Sequence, residues 1–406
     1  YSHVFKKKLP AGVPPVRFPG AEMKIDLTPD GETSSPPAQQ SRPATAEQNA
    51  ELKKQLESYL ASGFWRPSAS PYAAPILFVM KHRDDGTFDG WRLCCDYRGL
   101  NRITKRDQTS LPPIDSLIAA VGNNKYFAKI DLSQFFHQIP IHPDSIEKTA
   151  IATRYGLYEW TVMPFGLTNA PSVSVRFGNR ILHDFIDKYL VIFIDDILVY
   201  GNTIEELYRR LELVLQRLAD YGLYVHPEKS KFFLTQVAYL GLGLTHGGTF
   251  IMDHRKKAID DWPIPTAQDK TGGRKGGLSG RKRDGKVGIR SFLGVTGFFR
   301  KFIPGYAKVA KPLTDLLRDD EEFRWGEDQQ AAFDELKRLI TSSSIMVTPD
   351  SQKQKIVIPD ASNYAIGGVL LQQCDDGEYR PCAYMSYKLP HDCKWSPYEI
   401  ELWAMI

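Results

Sequence analysis

Apolar residues along the chain recur at two intervals. Leu52, Leu56, Tyr59 and Leu60 follow the helical spacing, Thr45 and Gln48 form a capping box ahead of them, and Gly63 closes the run. Leu207, Leu211, Val214, Leu215 and Leu218 stripe another helix, opened by Thr203 and Glu206 as a second capping box and ended at Gly222. A further helix is expected over residues 173–186. Between these lie β-rich runs. PILFVM, a charged turn at Asp84-Asp85-Gly86 and WRLCCDY predict a hairpin with a basic, mobile tip. KYFAKIDLSQFF (125–136) reads as a strand, and VIFIDDILVY (191–200) as two buried strands joined by a turn. Residues 355–358 and 365–372 are strand-like, IRSFLGVTGFFRKFI is helical and aromatic-rich, and 396–406 begins a helix. Strands and helices interleave, so the expected class is α/β mixed or α+β with a mainly antiparallel sheet.

Asp195 and Asp196 sit where the apolar hairpin must turn. Two adjacent carboxylates repel each other, and burial disfavours their charged forms. A divalent metal ion is the strongest candidate to offset that cost. A solvated turn is the plainer reading, since aspartate is a common turn residue. Asp131, at the end of the 125–136 run, shifts the balance, because the chain between it and Asp195 is long enough for a helix and a strand before returning to the same sheet. Three carboxylates at neighbouring strand ends suit two metal ions ~4 Å apart, an arrangement used for in-line attack on phosphorus.

Composition narrows the classes further. At 406 residues, two or three domains are expected. No apolar run approaches the ~20 residues that span a bilayer, so no membrane role is expected. The chain opens on Tyr1 and stops at Ile406 within an apolar helical pattern, which reads as a segment of a longer polypeptide. Five cysteines without a Cys-x-x-Cys pair argue against a disulfide framework and a zinc knuckle. His137 and His226 read as packed residues, not ligands. The net charge of +4 is neutral on nucleic-acid binding; the basic clusters 6–8, 81–83 and 98–106 matter only beside a catalytic site. Residues 1–44, rich in Pro, Gly, Ser and Thr, read as an extended leader. The stretch 266–288 holds seven glycines and seven lysines or arginines and reads as a disordered basic loop or linker. A composition shift near residue 350 marks a further boundary.

From about Leu9 to Ile406 the chain resembles the polyprotein of gypsy-class LTR retrotransposons, over the reverse transcriptase and the opening of the ribonuclease H domain. The resemblance rests on ordered blocks that include SGFWRPSASPYAAPILFV, WRLCCDYRGLN, YFAKIDLSQFFHQIPI, MPFGLTNAP, FIDDILVYGNT, HPEKSKF, YLG, RSFLGVTGFFRKFIPGYA and DASNYAIGGVLLQQ. It implies a right-hand polymerase: leader 1–44, fingers and palm 45–240, thumb and connection 241–350, and an incomplete ribonuclease H-like domain 351–406. It also implies RNA-directed DNA synthesis by two-metal nucleotidyl transfer, with Mg2+ as cofactor and Mn2+ as its substitute. RNA template, DNA primer, RNA–DNA hybrid and dNTPs are the implied partners, bound through phosphate contacts with strong salt dependence. The implied setting is cytoplasmic, within virus-like particles.

Position by position, Asp131, Asp195 and Asp196 match the catalytic, metal-binding acids, with Asp196 the less direct ligand. Arg92 matches the fingers arginine that grips the triphosphate, with Lys81 or Arg83 as its basic companion. Phe136 matches the residue whose ring excludes a ribose 2′-hydroxyl, against the plainer reading that Phe135 and Phe136 are core residues on a strand. Phe165 and Gly166 belong to the block that shapes the nucleotide pocket, and Lys229 resembles a proton donor to departing pyrophosphate. Tyr239, Leu240 and Gly241 match the primer-grip turn. Trp65 reads equally as a stacking platform for template or as packing. Asp360 and Glu401 match the first two ribonuclease H carboxylates; a third lies downstream in the family, so these 406 residues alone are expected to lack ribonuclease H activity. Three features depart from the family: LTNAPSVSVRFGN, KRDQTSLPPID and the basic glycine-rich insertion. They leave open a diverged, catalytically dead copy that only binds nucleic acid. An RNA-dependent RNA polymerase is a further alternative, which Phe136 argues against.

Overall fold

Alternating apolar side chains and tight turns produce mainly antiparallel sheets, as a computed structural model of residues 1–82, 87–266, 286–318, 320–362, 364–389, 396, 399–401 and 404 shows. The chain forms two units: 1–121 with 126–234, and 122–125 with 235–406.

In the first unit, a four-stranded sheet runs in the order Leu190–Phe193, Asp196–Gly201, Tyr126–Asp131, Lys231–Leu234. Phe127, Ala128 and Ile130 of the central strand are fully buried, as are Ile197, Leu198 and Val199 beside it. Helix Ile204–Asp220 packs on this pair of strands. Its buried stripe is Leu207, Leu211, Val214, Leu215 and Leu218. Thr203 accepts from the Glu206 amide, but the Glu206 carboxylate accepts from Asn202 N–H instead of Thr203, so the expected capping box is only half formed. Helix Ala170–Leu182 starts three residues earlier than its apolar pattern suggested, with Pro171 in its first turn.

A five-stranded sheet holds Trp65–Pro67, Gly156–Trp160, Ile151–Thr153, Ala74–His82 and Phe88–Cys95, in that order. The last two strands are the expected hairpin, paired from Ile76 with Cys95 to His82 with Phe88. One contact in this sheet, between Ala74–His82 and Ile151–Thr153, is parallel. Helix Ala46–Ala61 begins with the full Thr45–Gln48 capping box. Residues 1–44 are mostly irregular, apart from the short helix Pro29–Thr33, yet contribute to this core. Val4, Ala21, Met23 and Ile25 are almost completely buried, Phe5 bridges to Val225 and Met23 to Ile141.

The second unit holds a three-stranded sheet of Gln236–Tyr239, Leu242–Thr245 and Gly248–Phe250. It also holds helices Val287–Phe298 and Glu327–Thr341. A further sheet comprises Lys355–Ala361, Ala365–Gln373 and Tyr379–Lys388. Most of the glycine-rich insertion, Arg83 and the Asp84-Asp85-Gly86 turn lie outside the described residues. Among the described residues no helix is long and apolar enough to cross a membrane.

Candidate active site

Asp131 ends the central strand and lies directly opposite Asp196 in the antiparallel register. The neighbouring pairing sets Phe193 opposite Asp196, which leaves Ile194 and Asp195 as the turn. Ile194 adopts φ +59°. A β-branched residue rarely enters the left-handed region; holding one there costs of order 1–3 kcal/mol and persists only where the surroundings dictate it. The buried strands on both sides do so here, and the turn sets Asp195 beside the Asp131–Asp196 pair. The Asp131 amide donates to Ser230 Oγ at 3.0 Å, and its carbonyl accepts from the His226 amide at 2.8 Å. Both contacts fix the backbone from which the carboxylate projects.

Burial raises the Asp131 carboxyl above the ordinary carboxylate range; Lys229 opposes the shift and Asp196 adds to it. Asp195 is also raised, first by desolvation and then by repulsion from Asp196. Lys229 Nζ stands 3.9 Å from Asp131, on a side chain 64% exposed. Lys129, two residues before Asp131, contacts both oxygens of Asp196, at 3.0 and 3.1 Å. Among the described residues, no group of three or more Asp, Glu, His or Cys side chains forms a ready-made metal cage. The three acids lie together at the ends of two paired strands and the turn that follows. The donor set still fits a divalent cation: all-oxygen ligands suit Mg2+ or Mn2+, and the raised carboxyls gain most from a nearby positive charge.

After Asp131 the chain bends through Gln134, at φ +46°, into a 3-10 turn over Phe135–Gln138 in place of the expected strand. Phe135 turns into the core against Phe177, with ring centroids 5.8 Å apart. Phe136 is half-buried, packs against the core and meets Phe165 at 4.9 Å. Phe165 is 48% exposed, a large apolar surface beside the acids' strand. Gly166 has φ +101°, and a Cβ there would stand 3.0 Å from the Cys95 carbonyl. Asn101 holds this loop: its Nδ2 donates to Gly166 O and its Oδ1 accepts from Thr168 N, each at 2.9 Å. Cys95 ends the strand carrying Arg92, which is exposed opposite Val79. Lys81 lies in the partner strand, Ala74–His82. Thus the Phe165–Gly166 loop and the arginine-bearing hairpin approach each other at Gly166 and Cys95.

Trp65, read equally as a stacking platform or as packing, proves to be packing, and His137 is packed as expected. Trp65 is buried among Tyr59, Tyr158 and Trp160, which removes it as a template platform. His137 is buried against Trp160, and burial lowers its pKa to about 4. Asn101 and Lys129 were not singled out in the sequence; only their places within the WRLCCDYRGLN and AKID blocks hinted at them.

In the second unit, Leu240 and Gly241, at φ +49° and +85°, make the turn between Gln236–Tyr239 and Leu242–Thr245. Two positive-φ residues match the twist of a tight hairpin. Tyr239 is buried, and a Cβ on Gly241 would meet the Phe298 ring at 3.2 Å. Asp360, paired with Gly367, is exposed on strand Lys355–Ala361. Glu401 is exposed on a helical segment whose Ile400 packs with Ile366 and Leu389, bringing that helix onto the Asp360 sheet.

A two-stranded aspartate hairpin facing a third acid, followed by the Phe136–Phe165 ring pair, has the form of a polymerase palm. The family described as "Reverse transcriptase (RNA-dependent DNA polymerase)" matches residues 80–244. "RNase H-like domain found in reverse transcriptase" matches residues 325–406. The chain belongs to the reverse transcriptase family, with a ribonuclease H-like region following the polymerase region.

Its relatives are Pol polyproteins of LTR retrotransposons. It is 35% identical over 379 residues to the "Retrovirus-related Pol polyprotein from transposon 297" of Drosophila melanogaster, covering 92% of this chain and 33% of that protein. To the "Retrovirus-related Pol polyprotein from transposon gypsy" of the same organism it is 30% identical over 369 residues, covering 87% and 33%. To the "Transposon Tf2-3 polyprotein" of Schizosaccharomyces pombe it is 30% identical over 338 residues, covering 83% and 24%. The chain thus spans about a third of the length of the first two and about a quarter of the third. Among solved structures, a foamy viral protease-reverse transcriptase in complex with double-stranded DNA matches with a TM-score of 0.78 at 22% identity, over 99% of this chain and 64% of that one. The same viral protein in complex with an RNA/DNA hybrid matches at 0.76 and 23%, over 92% and 47%. These likenesses establish the fold.

Proposed function

We propose that this chain is an RNA-directed DNA polymerase that extends a DNA primer with dNTPs on an RNA or DNA template. The observation that carries the reading is the register: Asp131 opposite Asp196, with the strained Ile194 turn setting Asp195 beside them. Asp131 and Asp195 would be the direct ligands of Mg2+ or Mn2+, with Asp196 adjacent. When bound, two such ions would lower the pKa of the primer 3′-hydroxyl and neutralise charge on the triphosphate. Arg92 would take phosphate oxygens in the planar fork of its guanidinium. The Phe136 ring, propped by Phe165, would occupy the space a 2′-hydroxyl needs. Lys229, exposed and near Asp131, would donate a proton to departing pyrophosphate. Tyr239–Gly241 would hold the primer end, and Asp360 with Glu401 would serve the ribonuclease H-like region. Double-stranded DNA and RNA/DNA hybrid in the structures of the foamy viral relative support duplex nucleic acid as the partner.

Primer extension on an RNA template tests the reading. Extension by the chain, lost in Asp195→Asn with duplex binding retained, is the expected result. Binding without extension in the unaltered chain would instead leave the nucleic-acid-binding copy as the account.

A further inference from the structure

With three residues per turn, the 3-10 segment Phe135–Gln138 sends successive side chains in three directions. Phe135 enters the core, Phe136 meets Phe165, and His137 turns inward to a buried site. There the imidazole lies nearly flat on Trp160, with ring centroids 5.1 Å apart, and Phe64 stands at 5.8 Å. Its Nδ1 is 3.1 Å from the carbonyl oxygen of Met163, a residue that is itself fully buried. A carbonyl oxygen only accepts, so Nδ1 carries the proton and donates it. Burial lowers the imidazole pKa to about 4, so the ring is neutral near pH 7 and has one donor, aimed at Met163. Met163 opens the loop that carries Phe165 and Gly166, and its amide donates to Ile139 O at 2.8 Å. At the other end of that loop, Asn101 bonds Gly166 O and Thr168 N. Phe165 therefore sits between two anchors. Its ring also leans on two consecutive side chains of the 3-10 segment, Phe136 at 4.9 Å and His137 at 5.7 Å, the latter nearly edge to face.

We infer that His137 is a positioning residue that holds Phe165 against Phe136 and so sets how much room the sugar gate leaves for a 2′-hydroxyl. The inference rests on the polymerase reading, in which the Phe136 ring excludes ribose. His137 touches no nucleotide in this scheme; it acts through the Met163 carbonyl and the Phe165 ring. Without the Nδ1–H donor, a buried carbonyl loses its bond and the start of the loop is released. Phe165 can then withdraw from Phe136, and the unpropped gate ring yields to a ribose. A histidine that served packing alone would, on removal, lower stability and slow both classes of nucleotide alike. A positioning histidine changes the ratio between them.

Single-nucleotide extension by the full 406-residue chain, with a dNTP and the matching rNTP, measures discrimination as the ratio of their kcat/KM values. His137→Phe keeps a ring and removes the donor; His137→Asn keeps an N–H where Nδ1 stood. The ratio should fall about three- to tenfold in His137→Phe, the scale of one buried hydrogen bond, and less than about twofold in His137→Asn. In a Phe136→Ala background, where the gate is gone, His137→Phe should lower the ratio no further. An unchanged ratio in His137→Phe overturns the inference, as does a fall of the same size in the Phe136→Ala background. Nitrogen-15 NMR of the histidine-labelled chain gives a reading that needs no catalysis, with the His137 signal identified by its loss in either variant. It should show a neutral ring protonated at Nδ1; a ring protonated only at Nε2 overturns the inference. If Phe136→Ala leaves the ratio intact, or the unaltered chain extends no primer, the polymerase reading of the gate fails and takes the inference with it.

Discussion

Replacing Gly166 by alanine isolates the contact between the Phe165–Gly166 loop and the arginine-bearing hairpin. The position has φ +101°, outside the ordinary range of L residues, and the new Cβ would sit 3.0 Å from the Cys95 carbonyl. That neighbour is backbone, so no side-chain rotation relieves the contact. Adopting the φ costs about 1–3 kcal/mol. The overpacking adds roughly 1 kcal/mol more. Gly222→Ala is the matched control. Its φ is +60° and nothing lies within 4 Å of the added Cβ, so it bears the conformational cost alone, roughly 1–2 kcal/mol. Thermal unfolding should therefore place Gly166→Ala below Gly222→Ala by about 2–4 °C or more for a unit of this size. Steady-state extension should show a raised KM for dNTP in Gly166→Ala, because Phe165 and the Asn101 bonds move with residue 166. Equal melting temperatures for the two variants, or an unaltered KM in Gly166→Ala, would refute the reasoning.

Two further expectations follow from the same geometry. In Asp131→Asn, metal-free stability should rise near neutral pH, because the folded state raises this carboxyl and so disfavours its charged form. The gain should shrink as pH falls through the raised value and vanish below the ordinary carboxylate value near ~3.9; a gain that grows on acidification contradicts the assigned cause. Phe136→Ala should reduce discrimination against ribonucleotides, measured as the ratio of kcat/KM for dNTP to that for rNTP. Unchanged discrimination there would remove Phe136 as the sugar gate.

What the sequence disclosed and what it concealed divide along physical lines. Local chemistry was legible: the Thr45–Gln48 cap, the Leu207–Leu218 stripe and the apolar runs around Asp195 each depend on neighbours a few residues away. The acids' approach was legible because strand periodicity and the length between Asp131 and Asp195 allow a return to one sheet. Backbone strain was not legible, since nothing in the letters around Ile194 marks a left-handed turn. Nor was the diagonal Lys129–Asp196 pair, which depends on register across strands. The strand Tyr379–Lys388 escaped notice because its polar and apolar residues alternate weakly, and its pairing with Ala365–Gln373 supplies what its own pattern lacks. Residues 1–44 read only as an extended leader because their Pro and Gly content masked Val4, Ala21, Met23 and Ile25, four apolar residues that enter the core.

The central claim, that Asp131 and Asp195 are the working pair of a polymerase palm, is tested most directly by single-nucleotide extension of a DNA primer on an RNA template with Mg2+. Both Asp131→Asn and Asp195→Asn should abolish extension while retaining duplex affinity. Extension by either variant at a rate comparable to the unaltered chain would contradict the account.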